Sequence, residues 1–469
     1  MDYTTLLLLF SFVWPCIKVI TTGFTNRRSG VARLPPGPRP FPIIGNLLKL
    51  GKKPHQSLTI LSKTYGPLMS LKLGSTTTIV VSSSEAAQEV LNKNDQAFSS
   101  RTVLNAIQVV DHHHFSIVFL PASAHWRNLR KICSMQMFSS HRVDARQAMR
   151  QNIVQQLLGH AQETTFTTTL NLLSNTIFSV NLAHYNSNFS QEFKDLIWSI
   201  MEEAGKPNLA DFFPVLRMVD PQGIQKRMTV YFNKLIEFFY GFIEQRLPLK
   251  ASSSNNDVLD GLLNLDKQHD HELSCNDIRH LLADLFSAGI DTTSGTVEWA
   301  MAELLNNPKS MAKARSELGK VVGEEKIVEE SDISKLPYLQ AVVKETFRLH
   351  PPVPFLVPRK TEMKSEILGY AVPKNARVLV NVWAIGRDST IWSNPNSFVP
   401  ERYLECEIDV KGRDFRLIPF GSGRRICPGM LLGHRMLEDG LKPEDMDMTE
   451  KFGFTLRKAQ PLQAVPIKP

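Results

Sequence analysis

Phe420-Gly421-Ser422-Gly423-Arg424-Arg425-Ile426-Cys427-Pro428-Gly429 is the stretch on which the reading of this chain turns. It sets one cysteine in a glycine-rich turn just ahead of an apolar, helix-like segment. Glycines let a backbone come close to a flat ligand, a helix amino end stabilises negative sulfur, and amide groups can hydrogen-bond it. The pattern suits a metal thiolate. A lone cysteine beside a turn is more often just a small buried residue, so its surroundings must decide between the two.

Working outward, Phe398-Val399-Pro400-Glu401-Arg402-Tyr403 precedes the cysteine turn, and Glu345-Thr346-Phe347-Arg348 precedes that. Glu345 and Arg348 stand at i and i+3 on one helical face, where opposite charges can pair. A bare pair at this spacing is expected about once per chain by composition alone, and its ordinary place is the surface. Further upstream, Ala288-Gly289-Ile290-Asp291-Thr292-Thr293 interrupts a long apolar helix expected from near Asp277 to about Asn306. Threonine hydroxyls can bond the carbonyl one turn back and distort a helix, opening a groove in which Asp291 and Thr292 could deliver protons. A kink satisfied internally is the plainer reading. In Trp126-Arg127-Asn128-Leu129-Arg130-Lys131, Trp126 and Arg130 share one helical face while Arg127 and Lys131 occupy the next. His112-His113-His114 looks like metal-binding material, yet no further ligand has suitable spacing, and a solvated loop is expected.

Phe420, Gly423, Arg425, Cys427 and Gly429 together match the haem-binding signature of the cytochrome P-450 superfamily, and chance agreement in a chain of this size is on the order of one in ten thousand. From the Pro-rich segment to its carboxyl end the chain resembles the plant microsomal members, closest to the geraniol 8-hydroxylase-like, terpenoid-oxidising group. LNLLSNTIFSVNLA and VNVWAIGRD carry that closer likeness. The resemblance implies a mainly α fold with small β-sheets and haem b, with Cys427 as axial ligand of the iron. It implies cofactor contacts from Phe420, Gly429, Trp126, Arg130, Arg359 and Arg425, the cations meeting the haem propionates through charge-assisted hydrogen bonds. It also implies a Glu345–Arg348–Arg402 network behind the cysteine side of the haem, proton relay by Asp291, and dioxygen stabilisation by Thr292. The expected reaction is hydroxylation of a small apolar substrate with dioxygen and electrons from NADPH, delivered by a flavoprotein reductase. Arg127 and Lys131 either meet that acidic partner or form a solvated basic face. Segments 101–120, 286–288, 353–357 and 452–454 are expected to line the substrate chamber.

The remaining features frame this reading. The net charge of +8 and pI near 9.1 suit an anionic membrane or an acidic protein; no nucleic-acid motif is visible. Five cysteines without pairing pattern indicate a reducing compartment. Residues 6–20 are almost wholly apolar and are followed by Arg27, Arg28 and Arg33, the charge order of an uncleaved anchor whose downstream chain stays cytosolic. We therefore expect an anchor over 1–24, single-pass in the endoplasmic reticulum membrane. A basic, Pro-rich linker over 25–46 and one catalytic domain over 47–469 follow. Strands are expected at Leu68–Leu73, Thr78–Val81 and Arg377–Val382, and a helix carrying Phe232, Leu235, Ile236, Phe239 and Phe242.

Two departures from the family pattern stand out. The apolar run after Cys427 stops near Leu437 and passes into Glu438-Asp439-Gly440, leaving a shortened helix about sixteen residues poorer than usual. Near Glu163-Thr164 about a dozen residues seem absent. Two alternatives therefore stay open: a haem-thiolate isomerase or dehydratase that needs no dioxygen, and a truncated isoform without activity.

Overall fold

The computed structural model describes residues 33–459 apart from 159–163, 184–187, 248–256, 266–272, 324–327 and 437–447. The expected anchor over 1–24 lies outside the described residues, and the two expected shortfalls fall at segments 159–163 and 437–447, which are not described. No helix among the described residues is long and apolar enough to cross a membrane.

Helices dominate. In chain order they include α1 (Pro54–Tyr65), α2 (Ala124–Ile132), α3 (Thr164–Phe178), α4 (Asn188–Gly205), α5 (Ile224–Arg246), α6 (Cys275–Asn306), α7 (Pro337–Leu349) and α8 (Met430–Met436). The strands are β1 (Leu68–Leu73), β2 (Thr76–Val81), β3 (Ser100–Arg101), β4 (Arg359–Lys360), β5 (Ser365–Ile367), β6 (Tyr370–Val372), β7 (Arg377–Val380), β8 (Glu450–Phe452) and β9 (Leu456–Lys458). Five of them form one sheet in the order β1-β2-β7-β4-β3, with β2 and β7 parallel and the other pairs antiparallel; β5-β6 and β8-β9 are separate two-stranded pairs. The mainly α architecture with small sheets is the one expected.

Local chemistry explains the boundaries. α6 starts at a capping box in which Ser274 accepts from the Asp277 amide and Asp277 reaches back to the Ser274 amide. It runs 32 residues without a break in its helical assignment. The Thr292 hydroxyl donates to the Ala288 carbonyl at 2.6 Å, and Thr296 to that of Thr292 at 2.7 Å. The threonine-rich centre is thus satisfied within a continuous helix rather than breaking it. β7 ends at Val380, two residues before the expected boundary, because the Asn381 side chain accepts from the Ala384 amide and caps a short helix over Val382–Ile385.

The main core gathers around α6, which packs against α3, α5 and α7. On α5, Phe232, Leu235 and Phe239 are buried at helical spacing, with Ile236 and Phe242 on the flank of the same stripe. Phe178, Phe239 and Phe286 stack face to face or tilted at centroid distances of 5.0–6.2 Å. Phe286 therefore belongs to the core and not to the chamber wall, contrary to its expected place.

Candidate active site

The cysteine turn is held from several sides. The Cys427 amide donates to the Phe420 carbonyl at 3.0 Å, closing the loop on itself, and the Phe420 ring packs edge-on against Phe347 of α7 at 5.3 Å. Gly421 and Gly423 adopt φ of 72° and 69°. A Cβ at Gly423 would lie 2.0 Å from the Leu91 carbonyl oxygen, so both its conformation and its surroundings demand glycine. Burial raises the Cys427 thiol pKa, opposed by a backbone hydrogen bond at Gly429 and by Arg130. Beyond Pro428 the chain enters α8, whose seven residues are its described extent.

Behind this turn, the expected ion network is complete and buried. Arg348 grips Glu345 with two parallel bonds of 2.7 Å, and neither side chain is exposed at all. Arg402 Nε donates to Glu345 Oε1 at 3.1 Å and the Val399 amide to the same oxygen at 2.8 Å. Arg348 also donates to the carbonyls of Gly386, Pro395 and Ser397. The pair is no surface accident: it joins α7 to the segment preceding the cysteine turn.

In front of the turn lies a mostly apolar cavity of about 300 Å³. Cys427, Phe420 and Gly421 of the cysteine turn line it, as do Ala288, Gly289 and Thr292 of α6. Expected lining residues that do reach it include Ile107, Phe119, Ala288, Val353, Val357 and Phe454.

At one edge of the cavity stand four arginines: Arg101, Arg130, Arg359 and Arg425. Arg130 donates to the Ile426 carbonyl at 2.7 Å, Arg359 to Phe98 at 3.1 Å, Arg101 to Val357 at 2.6 Å, and Arg425 to Ser99 at 2.7 Å and to Leu120. Trp126 gives its indole N–H to the Ile117 carbonyl and offers its ring face to Arg425 at 4.0 Å. Arg127 and Lys131 are exposed on the other side of α2, so the two helical faces separate as their spacing requires. All partners of the four arginines are neutral carbonyls. Burial, reinforced by the neighbouring arginines, pushes Arg425 down to about 9 and Arg101 well below its usual value; burial alone takes Arg359 down to about 10 against the pull of Asp95. Arg101 Nε, Arg359 Nε and Arg425 Nη1 are buried without a hydrogen-bond partner.

Comparison with known proteins places this geometry. The family described as Cytochrome P450 matches residues 35–441. The chain is 51% identical to "Cytochrome P450 76T24" of Catharanthus roseus, covering 100% of this chain and 99% of the relative. It is 50% identical to proteins named "Geraniol 8-hydroxylase" from Swertia mussotii and Catharanthus roseus, covering 99% of each chain. This chain belongs to the cytochrome P450 family.

A cytochrome P450 is a haem b-dependent monooxygenase that takes up dioxygen and receives NADPH electrons through a reductase. The residues fit that cofactor. Four clustered arginines, two of them buried and two half-buried, with Arg101 and Arg425 depressed by their neighbours and three nitrogens unpartnered, suit an anionic group, and two carboxylates on the rim of a flat macrocycle meet the requirement. The first alignment runs over 497 positions whereas this chain has 469 residues, so at least 28 positions have no residue here.

Several site residues escape sequence reading. Arg101, taken as a lining residue, joins the arginine cluster only because β3 pairs with β4 and sets it beside Arg359. Thr455, on the turn between β8 and β9, donates its hydroxyl to Asp291, and Arg457 Nη1 stands 3.5 Å from the other carboxylate oxygen. Asp291 is fully buried and points to this hairpin; burial raises its pKa against the pull of Arg457 and Thr455. His112 is 2% exposed, which corrects the solvated-loop reading for this residue, while His113 is half-buried and His114 exposed. The candidate motif's backbone there takes positive φ at Val110 and Asp111, turning His112 inward, an effect no spacing rule reveals.

Proposed function

We propose that this cytochrome P450 hydroxylates a small terpenoid, with Cys427 as the thiolate that would hold the haem iron and Asp291 and Thr292 as its proton-handling pair. The observation that carries the reading is the cavity itself, lined by both Cys427 and Thr292 and otherwise mainly by apolar side chains. The substrate class is supported by relatives named geraniol 8-hydroxylase at 50% identity.

Haem b, when bound, supplies the iron at which dioxygen is activated. The chain's own groups do the rest. Arg101, Arg130, Arg359 and Arg425 would hold the propionates, Phe420 and Gly429 would flank the cysteine, and Trp126 would support Arg425. Glu345, Arg348 and Arg402 fix the base of the cysteine turn. Asp291 keeps a proton more readily than an ordinary carboxylic acid because it is buried, and the Thr455 hydroxyl connects its Oδ2 to the cavity wall. Thr292 turns its side chain toward the cavity while its hydroxyl is pinned to Ala288. This acid–alcohol pair favours oxygenation over an isomerase or dehydratase that would not need it.

In the same reading residues 1–24 anchor the protein in the endoplasmic reticulum membrane, 25–46 form the spacer, 47–469 form the catalytic domain, and Arg127 and Lys131 meet the reductase. The test is a carbon monoxide difference spectrum of the reduced, haem-supplied protein, followed by turnover of geraniol with a plant reductase. A thiolate-type Soret band with a hydroxylated product is the expected result. A folded protein that takes up no haem would mean that the shortened chain is an inactive isoform, and conversion without NADPH would mean an isomerase.

A further inference from the structure

The cavity is mostly apolar, but one patch of its wall is not. Asp284 of α6 accepts the Ser116 hydroxyl, at 2.7 Å on Oδ2 and 3.0 Å on Oδ1, and the His112 ring at 3.1 Å on Oδ1. A carboxylate only accepts, so the hydrogen of the last bond sits on His112 Nε2. The other His112 nitrogen meets His280 Nδ1 at 2.9 Å, and His280 is stacked on Phe115. Burial, aided by His112, lowers His280 to about 4. The carboxyl group of Asp284 is 7% exposed and, among the described residues, pairs with no arginine or lysine. One turn along the same helix, Ser287 also lines the cavity, and its buried hydroxyl has no hydrogen-bond partner.

This cluster is not used by the oxygen chemistry, since Asp284 and Thr292 stand eight residues apart on α6. At 1.5 Å per residue that is about 12 Å. An ionised carboxyl has about four acceptor positions, and Ser116 and His112 fill two of them. The remaining capacity faces a cavity otherwise lined by Ile117, Phe119, Phe232 and Ala283. A group bound there must donate a hydrogen bond; an ether, ketone or hydrocarbon would leave the carboxylate unsatisfied.

We infer that Asp284, set by His112 and Ser116, anchors the hydroxyl group of an alcohol substrate and thereby measures out which carbon is oxidised. The inference rests on the cavity being the substrate chamber. The substrate is then an alcohol held by its hydroxyl group at the Asp284 level of α6, about two helical turns from Thr292.

Equilibrium dialysis of the haem-loaded protein with geraniol and with geranyl methyl ether tests this without reference to turnover. The alcohol is expected to bind about tenfold more tightly than the ether, because the ether cannot donate to Asp284. In Asp284→Asn the preference should fall to within about threefold, and the product should spread over several carbons. Equal binding of alcohol and ether by the unmodified protein overturns the anchor, and so does an Asp284→Asn variant that keeps the full preference and a single product. The first comparison needs no variant, so a misfolded Asp284→Asn protein leaves the test intact. Preferential binding of the alcohol without any hydroxylated product would sink the terpenoid hydroxylase reading and leave the anchor standing. Hydroxylation of alcohol and ether at equal affinity would do the reverse.

Discussion

The hydroxyl of Thr455 donates to Asp291 Oδ2, tying the centre of α6 to the β8–β9 hairpin near the end of the chain. Asp291 does not border the cavity, whereas Thr455 does. If protons pass between the two, Asp291→Asn should lower kcat by about 100-fold while leaving the KM for substrate nearly unchanged. Thr455→Val should lower kcat several-fold in the same manner. Product formation against NADPH consumption in a reconstituted reductase system gives both values. A variant of Asp291 with full kcat would remove this residue from the reaction.

Glu345 binds the buried Arg348, the partly buried Arg402 and one amide through its carboxylate. Glu345→Gln would strand Arg348 and Arg402 without a counter-charge, a loss of about 3–5 kcal/mol in stability. Urea unfolding followed by far-ultraviolet circular dichroism measures it. The double replacement of Glu345 and Arg348 by apolar residues of similar volume should cost less than Glu345→Gln alone.

Arg101 has three like-charged neighbours and a buried Nε with no partner. In the haem-free protein, Arg101→Met should raise stability by about 1–3 kcal/mol by removing an unanswered cation. In the haem-loaded protein it should speed cofactor loss to apomyoglobin. Opposite signs in the two forms identify the arginines as ligands of an anion; equal signs would make Arg101 a packing residue.

Glu450 accepts from His55 and Gln56, with Arg387 and His350 nearby. Burial alone would raise its pKa, but His55 and then Arg387 and His350 outweigh it and bring it down to about 2. A carboxylate depressed in the folded state stabilises above its unfolded pKa, near 4.3, and that contribution is lost as pH falls toward 2. It amounts to about 3 kcal/mol at most. The difference in urea midpoint between the native chain and Glu450→Gln should therefore be largest at pH 6 and shrink by pH 3.

How much of this was legible beforehand follows from the range of each interaction. Cys427 and Glu345–Arg348 are local patterns, and local spacing exposed them. Leu68–Leu73 is found at the boundaries expected, since an alternating strand followed by a turn needs no tertiary help. Arg101 and Thr455 were not seen in their roles because strand pairing brings them in from 258 and 164 residues away, next to Arg359 and Asp291. His112 misled because two positive-φ residues before it reverse the side on which it lies. The unbroken course of α6 likewise reflects hydroxyls that bond back along their own helix, where sequence alone leaves kink and groove equally open.

The arginine quartet also bears on how the protein is made. Arg101 and Arg425, depressed by the cations around them, cost the fold stability that an anion beside them would restore. Whatever binds only the native form shifts the folding equilibrium in proportion to its supply. Were haem the anion held by these arginines, its supply would favour the folded chain as well as equip it.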